Sequence, residues 1–281
     1  DHHVMSKCDD MDETESAFPF PSFHHMIEDT STETGWRVNL RPDQLPSLRG
    51  NVHIDMSFLN NMDGFSTMAP LLFYMQGLKE AHEAGSNQLK GQRDIEQSTT
   101  MSSVTLLLDV EARKLVYHAA EIDYFDAHHP LVMVFPARPL KHAAHYALAV
   151  VNAKDTTGKP LETSAAMARL YGLDSKSTTR ENRLREIVLP SLYDAAEWIS
   201  DGDVQMLFDF VTVSEKIQLG AVRAVREWMG VEFKNKDERY HQLQLQFITS
   251  GEIHQRSNSS PVVSLYTRKW LKIFSFKREH T

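Results

Sequence analysis

Cysteine is almost missing from this chain. Cys8 is the single one in 281 residues, so no intrachain disulfide and no CxxC zinc site can form. Cys8 is then a free thiol or pairs with a cysteine outside the chain. No apolar run reaches the ~18 residues needed to span a bilayer. No signal-peptide pattern is visible, and the first residue is Asp rather than Met. Twelve glycines and eleven prolines are too few for a collagen-like or low-complexity protein. No block of five or more like charges occurs. The formal charge of −8, with a pI near 6.0, argues against a nucleic-acid binder driven by overall charge. Residues 231–281 carry more Lys and Arg than Asp and Glu, which reads as an ordinary solvated basic tail.

What is present suits a folded domain. Hydrophobic residues make up 41% of the chain and charged residues 24%, the balance of a soluble globular protein. Residues 1–17 are polar and acidic and read as a flexible arm. "FPFPSFHH" (18–25) alternates proline with phenylalanine. That favours an extended path with aromatic anchors lying along the domain rather than regular structure.

From 50 to 160 short apolar segments alternate with turns. "VHIDM" (52–56), "APLLFYM" (69–75), "SVTLLLDV" (103–110), "KLVYHA" (114–119), "PLVMVFP" (130–136) and "HYALAVVNA" (145–153) read as strands. Asp63-Gly64 and the loops at 85–102, 111–113, 126–130 and 155–160 separate them. Strands at this spacing, with no helices between, predict an antiparallel sandwich. In "HYALAVV", Tyr146, Leu148 and Val150 face one way, and Ala147, Ala149 and Val151 the other. The 76–102 stretch is long for a connection and suits a helical turn or a functional excursion.

After 160 the period changes. Leu184, Ile187, Val188, Leu192, Ala195, Ala196 and Ile199 follow helical spacing, with Pro190 predicting a kink or a second helix and Gly202 an end. "DVQMLFDFVTV" (203–213) reads as a strand. Ser214 then caps a helix whose apolar stripe is Ile217, Ala221, Val222, Val225, Trp228 and Met229. Four regions follow: the arm 1–17, a β-sandwich domain over 18–160, a helix–strand–helix segment over 161–230, and a C-terminal region over 231–281. The expected class is mainly β, α+β overall. In the last region Trp270, Phe274 and Phe276 with Lys269, Lys272 and Lys277 fit an amphipathic strand or a docking surface.

Catalytic signals are sparse. Ser66 is the candidate nucleophile. It lies in Gly64-Phe65-Ser66-Thr67-Met68, which lacks the second glycine of a G-x-S-x-G elbow and runs into a strand rather than a helix. Asp63-Gly64 therefore reads as a turn, with Ser66 or Thr67 serving loop backbone. Among the 14 histidines, His2-His3, His24-His25 and His128-His129 are adjacent pairs, which on a strand point to opposite faces. His142 and His145 flank the start of a strand. Asp123, Asp126 and His128 form the candidate cation site, without family-grade spacing such as HExxH. Asn258-Ser259-Ser260 matches the glycosylation acceptor pattern. No cofactor is implied.

Four segments, taken together, carry a resemblance: "FPFPSFHHMIEDTSTETGWRVNL" (18–40), "LNNMDGFSTMAP" (59–70), "VFPARPLKHAAHYALAVVNAKDTTGKPL" (134–161) and "LFDFVTVSE" (207–215). They resemble the N-terminal region of large secreted bacterial lipase-like α/β-hydrolases, whose leading part is built from Ig-like β-sandwich modules. The similarity covers about 18–229. His145 stands where that pattern has arginine, and "MLF" at 206–208 lacks its usual tryptophan. No residue of the family's catalytic set falls on this chain.

The resemblance implies a non-catalytic, Ig-like accessory module. It would support or position a catalytic α/β-hydrolase domain of the same parent esterase or lipase, outside the cell or in the envelope. Phe65, Met68 and Leu71 would pack in the core or against that domain. Two other readings stand beside it. One is a stand-alone ligand- or protein-binding module using the 76–102 and 121–130 loops. The other is a small serine hydrolase pairing Ser66 with His53, His82 or His118.

Overall fold

The computed structural model describes residues 18–41, 55–124, 131–172 and 179–234. The chain divides into two units, residues 1–220 and 221–281; within the second, only the end of the last helix is described. Every ladder is antiparallel. β1 (Met26–Glu28) and β2 (Trp36–Val38) form a hairpin. β3 (Leu71–Tyr74), β7 (Leu131–Pro136) and β6 (His118–Asp123) form a three-stranded sheet in the order β3-β7-β6. β5 (Lys114–Val116), β4 (Thr105–Asp109), β8 (His145–Val151) and β9 (Val204–Val211) form a four-stranded sheet in the order β5-β4-β8-β9.

One apolar cluster draws on both larger sheets. Leu71, Phe73, Ile122, Val132 and Val134 come from the smaller sheet. Leu107, Tyr146, Leu148, Val150, Met206, Phe208 and Phe210 come from the larger. A second cluster lies on the other face of the larger sheet, where Leu106, Leu108, Ala147, Ala149 and Leu207 meet helical residues. Those residues come from α2 (Ala165–Tyr171), the run α3 (Thr179–Arg183) to α4 (Leu189–Ala195), and Ile199. The two-sided cover explains the burial patterns. β7 alternates between part-buried and buried positions, whereas every residue of β4 and β9 is buried.

β9 lies beyond the 18–160 range expected for the β-sandwich domain, yet it pairs with β8 along most of its length and belongs to the larger sheet. The helix expected to end at Gly202 ends at Ala195, and Gly202 (φ +93°) instead turns the chain into β9. Pro190 marks a second helical segment as expected. It lies in the first turn of α4, directly after a π-helical turn at Leu184–Val188. Proline has no N–H for the carbonyl four residues back, so the ladder widens there.

The 76–102 stretch contains α1 (Leu78–Glu83) and a 3₁₀ turn at Gln92–Thr99. "FPFPSFHH" behaves as an anchor with one addition. Phe20 exchanges backbone hydrogen bonds with Leu72 of β3, and a 3₁₀ turn follows at Phe23–His25. α5 (Glu215–Lys234) closes the described chain. The arm 1–17, residues 52–54 of the first expected strand, and residues 235–281 with Asn258 and Trp270 lie outside the described residues.

Candidate functional site

Ser66 sits in the turn before β3. Its Oγ is exposed and accepts the Met68 amide at 3.3 Å, while its carbonyl accepts the Ala69 amide at 3.2 Å. This is a local hydroxyl turn. Ser66 is not among the residues with positive φ, so the strained elbow of a hydrolase nucleophile is missing. Phe65 and Leu71 are buried in the core, whereas Met68 is 51% exposed.

The residues just before Ser66 are the informative ones. Asp63 is fully buried, and its Oδ1 accepts the backbone amide of Ser214 at 2.9 Å. Its carbonyl accepts the Thr34 hydroxyl at 2.5 Å. Gly64 lies flat on the end of β9: a Cβ there would fall 2.5 Å from both the Thr212 carbonyl oxygen and the Val213 nitrogen. Phe65 continues the contact, donating its amide to Val211 at 2.9 Å and accepting that of Val213 at 2.8 Å. Thr212 Oγ1 donates to the Lys141 carbonyl and accepts the Ala144 amide, tying in the chain before β8. Ser214 then caps α5, its Oγ accepting the Ile217 amide at 3.4 Å. "DGF" thus braces the exit of β9 and the entry to α5.

A second cluster lies on the helical side of β9. Asp209 is fully buried. Its Oδ2 accepts His145 Nε2 at 2.9 Å and Arg183 Nε at 2.8 Å. Burial alone would raise its pKa; the His145 hydrogen bond and the Arg183 charge outweigh that and hold it at about 2. The Arg183 guanidinium lies 3.8 Å from the Phe23 ring centroid and 5.4 Å from that of Trp36. Phe23 and Trp36 meet edge to face at 4.6 Å, and Phe23 meets the His145 ring at 5.6 Å.

The other candidates are dispersed. His118 is buried and does not serve Ser66. Its Nδ1 donates to the Val116 carbonyl at 2.9 Å, so its Nε2 accepts the Thr105 hydroxyl at 3.0 Å. Burial lowers its pKa, against the two hydrogen bonds. His82 lies in α1, and its buried Nδ1 has no hydrogen-bond partner among the described residues. His142 donates from Nδ1 to the Val213 carbonyl at 3.1 Å. Asp123 ends β6; Asp126, His128 and His53 lie outside the described residues. Among the described residues no group of three His, Cys, Asp or Glu side chains is placed to hold a metal ion. No helix among them is long and apolar enough to cross a membrane. A shallow concavity over Gln92–Gln97 is lined by that one segment.

No family model, curated protein or solved structure matches the chain.

Proposed function

We propose that this chain is a non-catalytic, Ig-like β-sandwich module at the front of a secreted or envelope esterase- or lipase-like hydrolase. Its task is to support or position the catalytic α/β-hydrolase domain. The observation that carries this reading is the brace. "LNNMDGFSTMAP" and "LFDFVTVSE", two of the segments on which the resemblance rests, meet through Asp63–Ser214, Gly64–Thr212 and Phe65–Val211. They meet through main chain at Gly64 and Phe65 and through the buried Asp63 carboxylate, and Ser66 contributes only to its own turn. A module that must hand a helix to the next part of a protein benefits from such a fixed exit.

The strands β3 to β9 divide three and four, as in a constant-type Ig sandwich. The partner order departs from that type. The second of the seven, β4, lies between the third and the sixth, whereas the Ig order sets it beside the first and fifth. The likeness is thus one of layers rather than of strand order.

The test is the complete reading frame. It should encode a G-x-S-x-G nucleophile beside this module, and removing residues 18–234 should lower the yield of soluble, active hydrolase. A complete frame without a hydrolase domain would refute the reading.

A further inference from the structure

We propose that the Asp209 cluster is a latch that couples the N-terminal segment 18–41 to the helical run 179–195, so that the two open together rather than independently. β9 is an outer strand of its sheet. Arg183 comes from α3, while Phe23 and Trp36 come from the N-terminal segment, and both sides converge on that strand. One guanidinium serves both. It pairs with Asp209 through Nε and one terminal nitrogen, at 2.8 and 3.3 Å, and its Cζ lies over the Phe23 and Trp36 rings at 3.8 and 5.4 Å.

Two physical terms make this a shared contact rather than two separate ones. If α3 departs, Arg183 leaves with it, and a fully buried carboxylate keeps only His145. If the rings depart, the guanidinium gains water on its exposed face, and its pairing with Asp209 weakens as the local dielectric rises. Contacts that share a partner are not additive, and their coupling is reciprocal. His145 fits the same logic: its ring is bonded to Asp209 and touches Phe23, bridging the two sides.

Hydrogen exchange read by mass spectrometry on the full chain tests this. Phe23→Leu and Trp36→Leu remove ring faces while keeping apolar side chains; Arg183→Met removes the charge. The latch predicts that either ring variant raises exchange in 179–195 about tenfold, and that Arg183→Met does the same in 26–38. β6 and β7, which pair with each other and not with 18–41, should stay protected. Arg113→Ala, which removes an exposed ion pair to Asp194 of α4, should leave 26–38 unchanged. Loosening confined to the mutated side would overturn the proposal. Equal loosening of β6 and β7 would also overturn it, because the cluster would then belong to the global core and couple nothing in particular.

Discussion

Gly64 and Thr212 are in backbone contact: a single added carbon on Gly64 would come within 2.5 Å of the Thr212 carbonyl oxygen. The obstructing atoms are main chain on a buried strand end, so no side chain can swing away. Gly64→Ala should therefore destabilise the protein on the order of 3 kcal/mol. Urea denaturation would show it as a lower midpoint with an unchanged slope. A shift within about 0.5 kcal/mol would mean that the turn and the strand end separate easily.

Asp209 gives a prediction with a sign. Its folded pKa is about 2, below the ordinary 3.8. A depressed carboxylate contributes stability above the ordinary value and loses it as pH falls through the folded one. Asp209→Asn should cost on the order of 3 kcal/mol near neutral pH, since Arg183 is left buried without its counter-charge. The gap between wild type and variant should then close as pH falls from about 4 to about 2. Parallel denaturation series across that window would check it; a gap independent of pH would mean Asp209 is not held ionised.

His118 works in the opposite chemical sense but the same pH direction. Its folded pKa is depressed below 6.5, first by burial. Below that pH the unfolded chain binds a proton that the folded ring refuses. Stability should fall on acidification with a slope of up to about 1.4 kcal/mol per pH unit from this one group. His118→Gln should remove that part of the slope. NMR of the imidazole should show a titration midpoint below 6.5, and a midpoint at or above 6.5 would contradict the assignment.

Much of the fold was legible in local pattern. The alternation in "HYALAVV" sets Tyr146, Leu148 and Val150 on one face and Ala147, Ala149 and Val151 on the other; the first face lies in the inter-sheet core and the second on the helical side. Pro190 marked a real break because its missing N–H acts on its own turn. Asp63-Gly64 was readable as a turn, but its purpose was not, because Ser214 lies 151 residues away.

The ion cluster was hidden for the same reason, with its members drawn from α3, β8, β9 and the N-terminal segment. Its one local signal was an acid inside the apolar run "MLFDFV". Such a residue must find a partner if the strand is buried on both faces. Of the two places expected for Met68, the core is ruled out: it is exposed, because it sits in the Ser66 turn rather than in β3.

The proposed function holds that this chain has no ester-hydrolysing centre of its own, with Ser66 serving its turn. The most direct measurement is turnover of a short-chain p-nitrophenyl ester by the purified 281-residue protein beside its Ser66→Ala variant. The account predicts no turnover above buffer for either, with stabilities within about 0.5 kcal/mol of each other. Turnover by the wild type that disappears in Ser66→Ala would contradict it and make the chain a hydrolase in its own right.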